Sequence, residues 1–443
     1  MNILTVSILT RHEHSGRAAR LLAAAARKGL RALPDHDPSI MRQLITIPRV
    51  KPILVCVLAA LLLTSLGGAV LSAQESTSPG LSVREGHFIL NGQPYRGVGA
   101  NYFDLFRRIL LKPDDTSSLN GLQQLAQAGI PFVRFALAFD NRDWELYFKD
   151  RAEFFRRLDL VVRAAEREKV GLIPSFFWSF MGLPDRVGET RDQWGNPDSK
   201  TSAQMREIVA AFIERYKDSS ALWGYEFGNE PNLIADLPNA AEFRKKGGTE
   251  RDDMHAVQMT TMLAEFAREI RRHDTHRAIF SGNSHPRASS WHNTAEKSWK
   301  SDSREQTMEI IQRDNPAPLD TVSIHLYADH PVQKECAAWA TNHVQYLAPV
   351  MELARGMKRP VWIGEFGLAD QKDPAETRAM FGRLLTDMEQ SGVDLAAFWV
   401  FDLGNQKTWT VTPDNGRAYM LRLTAEANRR WARPGIGAGG LRR

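Results

Sequence analysis

Trp223-Gly-Tyr-Glu-Phe-Gly-Asn-Glu-Pro-Asn232 and, much later, Pro360-Val-Trp-Ile-Gly-Glu-Phe-Gly367 are built alike. Each is an apolar, aromatic-rich run that delivers one glutamate, Glu230 or Glu365, and then breaks at Pro or Gly. A buried strand that ends on a carboxylate and gives way to a loop suits a reactive group at the rim of a parallel barrel. Two such strands on one barrel would bring two carboxyl groups to one mouth, the pair that cleavage of a glycosidic bond needs.

The pattern on either side supports that reading. Strands are expected at 96–101, 131–137, 170–176, 221–229, 277–282, 319–326, 360–365 and 395–402. Helical patterns fall between them, near 118–129, 150–168, 202–217, 251–273, 303–313, 334–356 and 374–391, with a last one near 417–431. In 251–273, for example, Met259, Met262, Leu263, Phe266 and Ile270 share one helical face. Eight strands alternating with eight helices predict an α/β fold, a (β/α)8 TIM barrel. A doubly wound open sheet is the alternative, but no glycine-rich phosphate fingerprint follows the first strand. Upstream, Leu81 to Tyr95 alternates and turns at Glu85-Gly86 and Asn91-Gly92, which predicts a short N-terminal β-hairpin.

The formal charge of +5 is misleading until the charges are placed. Residues 1–51 carry nine Lys/Arg against three Asp/Glu, leaving 48 basic and 49 acidic residues in the remainder. The basic character belongs to the leader and gives no support to a nucleic-acid partner. Arg49 and Lys51 precede an apolar run from Ile53 to Leu66, then small residues and Ser72-Ala73-Gln74, as in a secretory signal. The expected organisation is a mis-assigned start or disordered leader over 1–40, a signal over 41–73 and a linker over 74–80. A barrel over 81–432 and a disordered basic tail over 433–443 complete it. The protein is then secreted or periplasmic; the rival is an uncleaved anchor, since 53–73 is about long enough to span a bilayer. With Cys56 in the signal, Cys336 stands alone, which excludes an internal disulfide and a cysteine-based metal site.

Reading only the carboxyl ends of the strands gathers a coherent set: Asn101-Tyr102-Phe103, Arg134, Phe176-Phe177-Trp178, Asn229-Glu230, Ser281-Gly-Asn283, His325-Leu-Tyr327, Glu365, and Trp399 with Asp402. Here the chain resembles glycoside hydrolase family 5, the cellulase- and mannanase-like members of a clan of (β/α)8 retaining glycosidases. The matching pieces are Phe132-Val-Arg134, Gly228-Asn-Glu-Pro231, His325-x-Tyr327, Gly364-Glu-Phe-Gly367 and Phe398-Trp399, in the family's order across roughly 88–405. The resemblance implies that Glu230 is the general acid and then base, and that Glu365 is the nucleophile. It implies further that Asn229 bonds the sugar 2-hydroxyl, that Arg134 and Tyr327 hold Glu365 ionised and oriented, and that His325 contacts Glu230 or substrate. Trp399 would form the floor under the cleaved sugar, and Trp178, Tyr102 and Trp291 are further candidate substrate contacts. No cofactor and no metal are expected, and the protein is expected to be a monomer.

The chain also departs from the family. Many relatives carry a histidine or asparagine near the end of strand three, where this sequence has Phe176-Phe177-Trp178-Ser179. The implied function is a secreted hydrolase of a polysaccharide or oligosaccharide, with β-mannan or β-glucan favoured by resemblance only. The alternative is a non-catalytic carbohydrate-binding barrel; a metal-dependent amidohydrolase would need a His-x-His that Asn101-Tyr-Phe103 does not offer. Glu226, inside its strand, reads as a buried, paired structural acid, and Trp223 and Trp362 as core. Trp178, Trp194, Trp291 and Trp299 fall in predicted loops where rings could stack on sugars. His292 and Asp402 are even candidates for the cleft, and His330 reads as an ordinary loop histidine.

Overall fold

The computed structural model describes residues 79–327 and 339–432. The expected leader, signal and basic tail, most of the linker, and His330 and Cys336 lie outside them. Among the described residues no helix is long and apolar enough to cross a membrane.

Strands β1 (Leu81–Arg84), β2 (His87–Leu90) and β3 (Gln93–Pro94) form a small antiparallel sheet, with Asn91 and Gly92 both at positive φ in the second turn. The expected hairpin is there, extended by a short third strand. Eight parallel strands follow: β4 (Gly97–Asn101), β5 (Phe132–Ala136), β6 (Gly171–Phe177), β7 (Gly224–Gly228), β8 (Ala278–Phe280), β9 (Val322–Tyr327), β10 (Val361–Gly367) and β11 (Leu395–Phe398). Their order, β8-β7-β6-β5-β4-β11-β10-β9, is that of a barrel opened at one seam. Side chains bridge the seam: the Asp320 carboxylate accepts from the Ile279 N–H at 2.9 Å, and the Thr321 hydroxyl donates to the Ile279 carbonyl at 3.3 Å. The fold is the (β/α)8 barrel, and the doubly wound alternative falls.

Alternation along each strand divides the core. Val98, Val133, Phe135, Tyr225, Phe227, Ile324 and Phe366 point outward into the layer between strands and helices. Phe132, Ile173, Trp223, Phe280, Trp362 and Leu395 point inward and form an apolar plug, joined by Leu81 and Phe88 of the hairpin. The hairpin thus seals the amino-terminal end of the barrel, with Phe88 packed on Phe280 at 5.9 Å between ring centres. Trp223 and Trp362 are core, as read from sequence. Above the plug the inward positions turn polar, with Asn101, Arg134, Glu226, His325 and Glu365 all buried in that upper storey.

Candidate active site

The storey begins at Glu226, which is fully buried. One of its oxygens accepts from the Trp362 indole N–H at 2.9 Å and the other from Arg134 Nε at 2.7 Å. The paired structural acid expected at this position is present. Arg134, also fully buried, spends its remaining donors upward: to the Asn101 side-chain oxygen at 2.9 Å, to Glu365 Oε1 at 2.7 Å and to the Asn229 side-chain oxygen at 2.9 Å. Burial alone would push this guanidinium down, but the charges of Glu226 and Glu365 outweigh it and raise it. Its fork therefore orients three strand ends at once.

Glu365 faces inward because β10 breaks step. Inward Trp362 would make Gly364 and Phe366 inward by strict alternation. Pairing with β9 instead shifts between Ile363 and Glu365, and Phe366 points out to the helices. Such a bulge re-aims a side chain. Gly364 is what fits there: a Cβ would come within 2.9 Å of the His325 ring nitrogen Nε2. Glu365 Oε2 accepts a short hydrogen bond from the Tyr327 hydroxyl. Burial, then the Glu365 charge, push that hydroxyl well above its ordinary range, so Tyr327 stays a donor.

Glu230 stands across the mouth. It follows β7 with a positive φ of 50°, and its backbone N–H donates to the Gly282 carbonyl at 2.8 Å. Its carboxylate meets His325 Nδ1 at 2.8 Å, with the Ser284 side chain close by. One oxygen each of Glu230 and Glu365 and a ring nitrogen of His325 all lie within 4.8 Å of one another. Among the described residues this is the cluster able to hold a cation. Both Glu365 oxygens are already engaged by Arg134 and Tyr327, and a guanidinium 2.7 Å away opposes a second positive charge.

Burial pushes the Glu230 carboxyl up, but the hydrogen bond and charge of His325, helped by Ser284, outweigh it and hold the group down at about 2. The proton that an acid would deliver therefore belongs to the Glu230–His325 pair, not to the carboxyl alone. A depressed carboxylate adds stability that is present above its unfolded value and lost as pH falls toward 2. Replacing His325 with Gln should move Glu230 above its ordinary 4.5, since burial remains while the imidazole charge is gone. Carboxyl ¹³C titration, with a Glu230→Gln chain to assign the resonance, reads this directly; an unmoved titration would remove His325 as the cause.

Aromatic rings wall the same mouth. Trp178 lies over the Arg134 guanidinium at 4.5 Å and meets Trp399 at 5.9 Å; Phe103 packs on Trp178 at 4.9 Å. The Trp399 indole is fixed by Gln406 at 2.7 Å, and Trp409 sets its edge against Tyr327 at 5.5 Å. Glu230, Glu365, Arg134, Asn229, His325, Tyr327, Trp399 and Trp178 thus come together.

Tyr102 and Trp291 do not join them. Tyr102 is fully buried on the outer side of β4, its ring against Phe401 and its hydroxyl 3.3 Å from Asp402; alternation turns Asn101 inward in its place. Trp291, expected in a loop, sits on a helix, Ser290–Glu296, and its indole is committed to Glu309 at 3.0 Å. Trp194 is fully buried among Phe177 and Phe227, while Trp299 stands half exposed. His292 pairs with Asp302 at 2.8 Å, and Asp402 with Arg108 at 2.7 Å, so both brace loops. Sequence reasoning gathered Asn101 at its strand end but gave the contact to Tyr102, and it missed Ser284 beside the site and Trp409 as a wall. Asn101 was signalled by parity with Gly97 and Gly99; Ser284 had no local signal.

A (β/α)8 barrel with two glutamates facing each other across the mouth defines a class of glycan-processing folds. A family model described as cellulase, glycosyl hydrolase family 5, matches residues 113–402, and the chain belongs to that family. Mannan endo-1,4-beta-mannosidase F of Aspergillus clavatus is 31% identical over 86 residues, 18% of this chain and 20% of that relative. The matched stretch spans between 18% and 25% of the curated relatives' length. In fold, the chain is similar to an endo-1,4-beta-mannanase from Rhizomucor miehei, with a TM-score of 0.59 at 16% identity over 79% of this chain and 99% of that one. It is also similar to an exo-beta-1,4-mannosidase from an Opitutaceae bacterium, with a TM-score of 0.53 at 18% identity over 79% and 63%.

Proposed function

We propose that the protein is an exported, retaining β-glycoside hydrolase acting on a β-mannan, with β-glucan as the second candidate. The observation that carries this is the Glu230–Glu365 separation of no more than 4.8 Å with His325 beside both. Retaining enzymes hold their two carboxyl groups roughly 5–5.5 Å apart, whereas inverting enzymes leave about 6.5–9.5 Å for a water. The basic-then-apolar leader supports export, and the mannan-cleaving names of the relatives support the sugar.

The chemistry follows from position. Glu365, oriented by Arg134 and Tyr327, attacks the anomeric carbon; the glycosidic C–O bond breaks and the leaving oxygen takes the proton of the Glu230–His325 pair. Glu230, again a carboxylate, then draws a proton from water as the water oxygen attacks the same carbon and the ester bond to Glu365 breaks. The two inversions leave the β-configuration. Asn229, held by Arg134, reaches the 2-hydroxyl, and Trp399 with Trp178 lies under the ring.

Incubating the purified full chain with mannan, β-glucan and xylan tests the reading. Mannan should be cleaved fastest, and NMR of fresh product should show the β-anomer first. An initial α-anomer would sink the retaining assignment; binding without cleavage of any of the three would leave only the carbohydrate-binding alternative.

A further inference from the structure

Glu230 sits at a positive φ of 50°, a backbone conformation that disfavours a non-glycine residue and persists only where the surroundings over-determine it. Those surroundings come from one short segment after β8. Gly282 supplies the carbonyl that accepts the Glu230 N–H, and it does so at φ +73°, where a Cβ would overlap the Gly228 carbonyl at 1.9 Å. Ser284 lies beside the Glu230 carboxylate and helps hold it ionised. Its backbone is clasped reciprocally by Asn232: the Ser284 N–H donates to the Asn232 side-chain oxygen at 3.0 Å, and the Asn232 amide donates back to the Ser284 carbonyl at 2.8 Å.

Arg287 closes the arrangement. Directly after Glu230 the chain makes a single 3-10 turn, Pro231–Ile234, closed by a long 3.4 Å bond from the Ala235 N–H to the Asn232 carbonyl, and its end leaves further carbonyls to be met from outside. Arg287 donates to three of the carbonyls there: Asn232 at 3.1 Å, Leu233 at 2.6 Å and Ala235 at 2.7 Å. Its Nε is anchored on the buried side chain of Asn293 at 3.0 Å. A guanidinium at the carboxyl end of a turn also meets the negative end of its dipole. No bond from Arg287 to Glu230, Glu365 or His325 is among these contacts, so it reaches the chemistry only through the backbone that carries Glu230.

We propose that Arg287 is a positioning residue specific to the acid/base carboxylate: by gripping the Glu230 turn it fixes that side chain against His325 and the leaving oxygen, leaving Glu365 to its own support. The inference rests on the assignment of Glu230 as acid/base. It makes a distinction that a general structural role does not. Loosening Glu230 slows the base-assisted attack of water as well, but kcat/KM reads the first step, where the loss scales with how much the leaving group needs a proton delivered.

The test compares kcat/KM for 2,4-dinitrophenyl and phenyl β-mannobiosides in the full chain, in Arg287→Met, Arg287→Lys and Glu230→Ala, with active sites counted by the burst of dinitrophenol. Arg287→Met should lose roughly 10–100-fold on the phenyl substrate, a part of the 10²–10⁴ that general acid catalysis supplies, and under about threefold on the dinitrophenyl one. Arg287→Lys, which keeps one or two of the donors, should fall between. Equal loss on both substrates, or no loss on either, would overturn the proposal. If Arg287→Met fails to fold, the Arg287→Lys ratio decides in the same way. Should Glu230→Ala itself show no dependence on the leaving group, the acid/base assignment fails; if it shows that dependence and the Arg287 variants do not, only the role of Arg287 fails.

Discussion

Glu365→Ala is expected to lower kcat/KM on mannan by on the order of 10⁵, the scale seen when a covalent nucleophile is removed. The reason is positional: Glu365 is held on two sides, by Arg134 Nη1 at 2.7 Å and by the Tyr327 hydroxyl, and no other carboxylate of the described cluster shares those donors. Glu230 cannot substitute, because its turn aims it at His325 from the opposite wall. The truncation also leaves a small-anion-sized gap in front of two donors. Azide added with a dinitrophenyl substrate should enter it, attack from the nucleophile's side and give the inverted α-glycosyl azide. Glu230→Ala with azide should give the β-azide instead, since that gap lies on the face from which the leaving group departs. Product stereochemistry by NMR separates the two. Wild-type turnover in Glu365→Ala, or a β-azide from it, would remove Glu365 from the nucleophile's place.

Why some of this could be read from residues alone is itself physical. Strands buried on both faces are continuous apolar runs, and the eight runs lie where β4–β11 lie, with shifts of a few residues at their ends. The hairpin was readable because Glu85-Gly86 and Asn91-Gly92 each supply the positive φ that tight turns need. Side-chain direction was harder. Strict alternation serves β4, β5, β7 and β9, and it would have placed Asn101 inward and Tyr102 outward had it been applied at β4. It fails at β10, where the bulge beside Gly364 reverses the parity and brings Glu365 in. The motif marked Glu365; periodicity alone would have pointed it at the helices. Contacts between distant loops left no trace in local pattern at all. Ser284, Arg287 and Asn232 meet because two neighbouring strands end beside each other, and Trp291 finds Glu309 across a helix pair. The lowered Glu230 carboxyl belongs to this group, since it depends on His325, 95 residues away in the chain.

Arg134→Met should be the most damaging single change to stability, by roughly 3–5 kcal/mol, the usual result of stripping one partner from a buried ion pair. The substitution is close in volume and leaves the apolar plug untouched. What it removes is the compensation for Glu226, which is fully buried and would keep only the Trp362 N–H for company. It also unties Asn101, Asn229 and Glu365 from a common donor. Urea unfolding gives the first effect as a fall in midpoint, and kcat/KM gives the second. The two are separable. Adding Glu226→Gln to Arg134→Met takes away the stranded charge while leaving an amide that can still accept from Trp362, so the double variant should regain about half of the lost stability. It should regain no activity, because nothing then orients Glu365 Oε1 and the Asn229 side chain toward one sugar. If the double variant were no more stable than Arg134→Met, the penalty would not lie in the unpaired Glu226. If it recovered turnover along with stability, Arg134 would be a scaffold for the barrel and not the element that aligns Asn229 with Glu365.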